Sequence, residues 1–158
     1  MRILKAAKAK RFKLRLHADE FEDSGAAELA GKLKAHSADH LMAISDAGIK
    51  ALADNNVVAT MLPGTTVFLG KNTFAPVRRM IDNGVRVAVA SDYNPGSSVY
   101  NCQPMMMNFA MVFGKMTVEE SFKAVTRNAA LSLDRDNVGI IDEGAQADLL
   151  VWNLQDIA

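Results

Sequence analysis

The feature that most restricts the fold is an alternation of short strand-like and helical segments that leaves a polar or turn-forming residue at the end of each strand. Phe12, Leu14 and Leu16 alternate with Lys13 and Arg15, the period of two that marks a strand, and the run stops at His17. Ala26 to Lys34 then carries helix formers, with Leu29 and Leu33 four apart and Glu28 placed to pair with Lys32. A second short strand ends near His40. Ser45 is positioned to cap a helix through about Ala53, and Asn55-Asn56 turn the chain into a buried strand, Val57 to Leu62. Pro76 opens a helix with Val77, Met80 and Ile81 on one face, Gly84 closes it, and Val85 to Ala90 reads as the fourth strand. This rhythm predicts βαβ units with right-handed crossovers and therefore an α/β fold on a parallel sheet. His17, His40, Pro63-Gly64 and Ser91-Asp92 all fall at the carboxyl ends of the strands, the edge on which such sheets and barrels build active sites.

Beyond the fourth strand, Thr117-Val118-Glu119-Glu120 is a capping box that predicts a helix to about Leu131. The tail differs in kind: Gly139 to Gly144 is turn chemistry, and Asp148 to Trp152 reads as a strand with no helix after it, where a second, mostly β layer begins. Residues 1–136 and 137–158 are thus expected to belong to two structural units. Eighteen basic residues balance eighteen acidic ones, so the chain has no overall field for nucleic acid or anionic lipid. The longest apolar run, Met105 to Phe113, is interrupted by Asn108 and is far short of the roughly 20 residues that span a bilayer. The lone Cys102 excludes an internal disulfide and suits a reducing cytoplasm. Seven basic residues precede Asp19, the first acid, and read as the solvated end of a helix leading into the first strand.

His17-Ala18-Asp19-Glu20 sets an imidazole at a strand end with a carboxylate three residues on. Such a pair suits a borderline metal such as zinc and proton transfer beside it. Asp92, at the mouth of a wholly apolar strand, either ligates a cation or receives a proton, and Gly96 allows a ligand close to the backbone. His36 precedes its strand and reads as structural. Met105 to Met107 read as core filling on a helix opened by Pro104, Cys102 has no local base, and Trp152 is expected to pack the tail on the helices.

Three stretches, His17-Ala18-Asp19-Glu20, Ser37-Ala38-Asp39-His40-Leu41 and Ser91-Asp92-Tyr93-Asn94-Pro95-Gly96-Ser97, together resemble the carboxyl-terminal part of the imidazolonepropionase family, within the amidohydrolase superfamily. Gly144-Ala145-Gln146-Ala147-Asp148-Leu149 is similar to the return strand of the small β-sandwich domain in many amidohydrolases. The resemblance implies about four βα units, half of a TIM-type barrel, followed by the start of that return segment. It implies that His17 and Asp92 ligate one zinc or iron ion, and that Glu20, His40 and Asp92 are catalytic. Glu20, Asn94, Gly96 and Ser97 would contact a small-molecule substrate. The implied reaction is hydrolysis of the ring amide of 4-imidazolone-5-propanoate to N-formimidoyl-L-glutamate. One departure stands out: the family's H-x-H pair of metal ligands is absent from this chain, whose only histidines are His17, His36 and His40. The resemblance places the start of the chain in the helix before the fifth barrel strand, so the 158 residues alone are expected to be inactive, or to pair with an amino-terminal half or a second copy. Another amidohydrolase, such as a deaminase of a nucleobase-like ring, and a non-catalytic half-barrel module are the rival readings.

Overall fold

The computed structural model describes residues 1–153. Helix α1 (Arg2–Ala9) has no buried residue, as the solvated basic segment predicts. There follow β1 (Arg15–Ala18), α2 (Ala26–Leu33), β2 (Ser37–His40), α3 (Asp46–Asp54), β3 (Val58–Met61), α4 (Pro63–Phe68), α5 (Val77–Asp82), β4 (Val87–Val89), α6 (Gln103–Gly114), α7 (Val118–Val125) and α8 (Arg127–Ser132). The four strands pair in chain order, all parallel, with His17 beside Asp39, Ala18 beside His40 and Met61 beside Val89. Sequential parallel order with a helical crossover after each strand is the arrangement of part of a (β/α) barrel.

The core lies between the sheet and its helices, with Leu16, Ala18, Ala38, Ala59, Met61, Val87 and Val89 on the strands meeting Leu52, Met80 and Met106 from the helices. Strands β3 and β4 are buried throughout, which accounts for their unbroken apolar character. Among the described residues no helix is long and apolar enough to cross a membrane.

Several local expectations change. β1 begins at Arg15, because Arg11 reverses the chain with φ 61 and leaves Phe12 exposed between α1 and the strand. The short α4, opened by Pro63, grows directly from the end of β3, an element the sequence pattern did not indicate. The capping box forms, with Thr117 Oγ1 accepting from Glu120 N and Glu120 Oε2 accepting from Thr117 N, but the helix it starts breaks at Thr126 and resumes as α8. Thr126 donates its hydroxyl to Phe122 O at 2.7 Å, the bond type that bends helices. Gly139, at φ 72, lies so close that a Cβ there would meet the Thr126 carbonyl at 2.7 Å, so the tail is threaded against this break. The strand expected at 148–152 is not formed. No partner strand lies beside it among the described residues, and an isolated strand cannot satisfy its backbone. Trp152, half exposed, meets Pro104, Met107, Met111 and Phe122 around an apolar hollow of about 310 Å³, as tail packing on the helices requires. The rest of the expected return segment, 154–158, lies outside the described residues.

The two sheet edges differ. Leu14 O and Ala18 O accept from His36 N and Leu41 N, so the alternate residues Arg15 and His17 turn their backbone groups to the free side of β1. On β4 the corresponding carbonyls are covered: Asn128 Nδ2 donates to Val87 O and Gln103 Nε2 to Val89 O, both at 2.9 Å. Two side-chain amides thus stand where a neighbouring strand would bond. Gln103→Ala leaves a buried carbonyl without its donor and is expected to cost about 1 kcal/mol in urea unfolding.

Candidate active site

Three strand ends at the carboxyl rim are turned by residues other than glycine in the left-handed region: Asp19 at φ 47, His40 at φ 77 followed by Leu41 at φ 63, and Asp92 at φ 51. Side-chain-bearing residues resist this conformation, and such positions gather at functional sites. The His17 and His40 rings lie with centroids 4.3 Å apart and planes tilted by 44°. Glu20 lies between them, with Oε2 at 3.0 Å from His17 Nε2 and Oε1 at 3.6 Å from His40 Nδ1. Ligating atoms of all three residues fall within 4.8 Å of one another. The His17 side chain is 66% exposed, whereas those of Glu20 and His40 are 9% and 8% exposed.

Burial pushes the His40 imidazole below its ordinary pKa, a shift that Glu20 opposes and His17 reinforces. His40 is therefore neutral at neutral pH. Its Nδ1 is buried and has no hydrogen-bond partner. Asp92 is outside the 4.8 Å group but close enough to act on His40 electrostatically. Its Oδ2 accepts from Thr65 Oγ1 at 2.6 Å.

The loop after Asp92 is held by its own side chains. Asn94 Oδ1 accepts from Gly96 N and Ser97 N, both at 2.8 Å, and Asn94 Nδ2 donates to Asp92 O and Ser97 Oγ. The backbone N–H groups expected to meet a ligand at Gly96 are therefore already occupied by Asn94. The Ser97 hydroxyl is also tied to Asn94, accepting from Nδ2 at 2.9 Å and donating to Oδ1 at 3.3 Å, so what the loop presents is the bare face of Gly96. His36 lies at the opposite end of β2, its Nε2 3.2 Å from Asp134 Oδ1, in keeping with a structural role.

One residue of the rim was passed over in the sequence. Asp19 is buried, and its carboxylate accepts from Ser24 N, Ser24 Oγ, Ala26 N and Ala27 N at 2.8–3.1 Å. Helix α2 has Gly25 at its N-cap and no capping side chain of its own, so Asp19 supplies the cap from outside. Burial raises the Asp19 pKa, but the bonds from Ala27, Ser24 and Ala26 outweigh it and hold the carboxyl below the usual range. The adjoining Glu20 is positioned by this anchor. Asp19→Ala is expected to lose about 2–4 kcal/mol by urea denaturation. Asp23→Ala, which gives up only one exposed bond to Gly25 N, should change stability by less than about 0.5 kcal/mol.

The whole chain, residues 1–158, matches the amidohydrolase family, and it belongs to that family. Within it, the chain is 50% identical over 157 residues to imidazolonepropionase of Treponema denticola, covering 99% of this chain and 38% of that protein. Similarity to the imidazolonepropionases of Bacillus velezensis (48% over 150 residues, 36% of that protein) and Phocaeicola vulgatus (50% over 151 residues, 36%) is comparable. The chain therefore spans a little over one third of the length of the curated relatives it matches. Among solved structures, an amidohydrolase from a Sargasso Sea environmental sample superposes with TM-score 0.78 at 21% identity, covering 98% of this chain and 36% of that one. A zinc-bound adenosine deaminase from Xanthomonas campestris superposes with TM-score 0.71 at 18% identity, covering 93% and 38%. At that identity these likenesses establish the fold, part of the amidohydrolase barrel.

Proposed function

We propose that this chain supplies the acid–base and part of the metal-binding rim of an imidazolonepropionase, hydrolysing the ring amide of 4-imidazolone-5-propanoate to N-formimidoyl-L-glutamate. The observation that carries the reading is the convergence of His17, Glu20 and the buried His40 on the carboxyl rim, with Glu20 oxygens 3.0 Å from His17 Nε2 and 3.6 Å from His40 Nδ1. Identity near 50% to named imidazolonepropionases supports the choice of substrate.

The donors suit a divalent ion: His17 belongs to a cluster of convergent imidazole and carboxylate atoms, and Asp92 keeps Oδ1 without a hydrogen bond among the described residues. His17 and Asp92 are the residues assigned to hold one zinc or iron ion, with the remaining ligands coming from sequence beyond these 158 residues. When bound, such an ion polarises a carbonyl and acidifies water toward neutrality.

The residues of this chain handle the protons. Water adds to the ring carbonyl carbon, the ring C–N bond breaks, and Glu20, His40 and Asp92 take a proton from the water and deliver it to the departing nitrogen. Neutral His40 is ready to accept a proton, and a largely buried Glu20 is screened from bulk solvent. Asn94 fixes the shape of the following loop, while Gly96 and Ser97 face the substrate, with Glu20 also holding the imidazolone ring.

Residues 137–158 are assigned to the return segment of a small β-sandwich whose partner strands lie elsewhere in the protein. The free side of β1 is assigned to a further strand, from the complementary barrel half or from a second copy. The cytoplasm is the assigned compartment.

The test is Glu20→Gln in a complete enzyme carrying this segment, assayed for loss of imidazolone propionate and, separately, for ammonia release from purine and pyrimidine bases. A fall in kcat of about 10²–10⁴-fold on the imidazolone is expected. Deamination of a nucleobase without imidazolone hydrolysis by the parent enzyme would instead establish a deaminase.

A further inference from the structure

Asp92 is held from below by a hydroxyl that belongs to another βα unit. Thr65, in the first turn of α4, is 1% exposed, and its Oγ1 lies 2.6 Å from Asp92 Oδ2. An ionised carboxylate only accepts, so Thr65 is the donor. The topology makes this contact possible. α4 starts immediately after β3, β4 pairs beside β3, and Ala90 N bonds Met61 O at 3.1 Å, so the first turn of α4 stands next to the residue leaving β4. Gly64 brings the two segments close: a Cβ there would lie 2.9 Å from Ser98 Oγ and 3.3 Å from Ser91 O. Ser98, fully buried, ties its hydroxyl to Ser91 O at 2.7 Å and closes the loop around Asp92.

We propose that Thr65 is a positioning residue whose hydroxyl fixes Oδ2 of Asp92 and so aims Oδ1 at the ion shared with His17. The inference rests on the assignment of Asp92 as a metal ligand. Among the described residues Oδ1 takes no hydrogen bond, which leaves it available for that purpose. Without the Thr65 bond the carboxylate would rotate about its side-chain torsions and lose the pre-organisation that outer partners give to a ligating group. If Thr65 merely fills space, an isosteric valine serves equally well.

The experiment titrates a complete enzyme carrying this segment, as parent, Thr65→Val, Thr65→Ser and Asp92→Ala, stripped of metal, with cobalt(II), reading affinity and the visible spectrum of the bound ion. Thermal melts of the metal-free proteins run alongside. Thr65→Val is expected to weaken cobalt binding about 10–100-fold and to alter the spectrum, with its metal-free melting little changed. Thr65→Ser should restore affinity to within about threefold and return the parent spectrum. Asp92→Ala should weaken binding at least as much as Thr65→Val. Parent-like affinity and spectrum in Thr65→Val, with binding lost in Asp92→Ala, would overturn the role of Thr65 and leave the ligand assignment standing. Parent-like binding in Asp92→Ala would overturn the ligand assignment itself, and the inference with it. If Thr65→Val does not fold, Thr65→Ala carries the same expectation and the same refutation.

Discussion

Asp92→Ala, made in a complete amidohydrolase that carries this segment, is expected to lower turnover of imidazolone propionate by about 10³-fold or more and to deplete bound metal. The substitution removes a carboxylate that the fold holds in place, at φ 51, with Thr65 on one oxygen and Asn94 on its backbone carbonyl. It also removes a negative charge that acts on His40. The matched control is His36→Ala. His36 sits at the amino end of β2 and faces Asp134, so its loss should leave metal content and turnover near normal. Metal analysis and steady-state kinetics on the two purified variants check both halves. A folded but inactive His36→Ala enzyme, or a fully metallated and active Asp92→Ala enzyme, would show that the wrong rim residues have been chosen.

The second large effect concerns the 158 residues by themselves, which are expected to hold metal weakly and to hydrolyse imidazolone propionate at a negligible rate. The chain spans 38% or less of the curated relatives described above. It holds only three histidines, of which His17 and His40 alone reach the rim. A catalytic zinc site ordinarily uses three protein ligands and an open position, held to within about half an ångström. His17 stands on an edge strand with its side chain 66% exposed, and among the described residues it is steadied by Glu20 and His40. Mixing with a separately produced amino-terminal part of a relative would cover the free side of β1, and activity should appear only in the mixture. Metal-dependent turnover by the purified 158-residue chain at stoichiometric metal would refute the expectation and require other residues to complete the site.

The residues at the rim were legible to different degrees, for reasons that can be traced. His17, His40 and Asp92 follow apolar or alternating runs, so a period-two reading puts them at strand ends without any knowledge of the packing. Glu20, three residues past His17, was readable as a carboxylate near an imidazole, but its place between two histidines was not, since His40 comes near it through the pairing of Ala18 with His40. Asn94 was read as one of the residues that touch substrate, yet much of its hydrogen bonding is spent on Asp92, Gly96 and Ser97. An Asx-type loop of this kind is local, and the Asn-Pro-Gly-Ser run carried the signal for it. The tail erred in the other direction: Leu149, Leu150 and Val151 have strand propensity, but propensity without a partner makes no strand.

By itself, then, the sequence determined the parallel α/β class, the strand ends that carry His17, His40 and Asp92, and the capping box at Thr117. All of these depend on spacing within a few residues, where side-chain period and backbone chemistry leave few choices. Tertiary structure alone decided that Asp19 caps α2 from seven residues away, that Thr65 reaches Asp92 across 27 positions, and that Gln103 and Asn128 cover the carbonyls of β4. It also decided that β1 has no second partner strand among the described residues. Such contacts join groups whose separation along the chain has no fixed relation to their distance in space, so they are set by which strands pair and which helices cross, and by the requirement that each buried polar group find a partner.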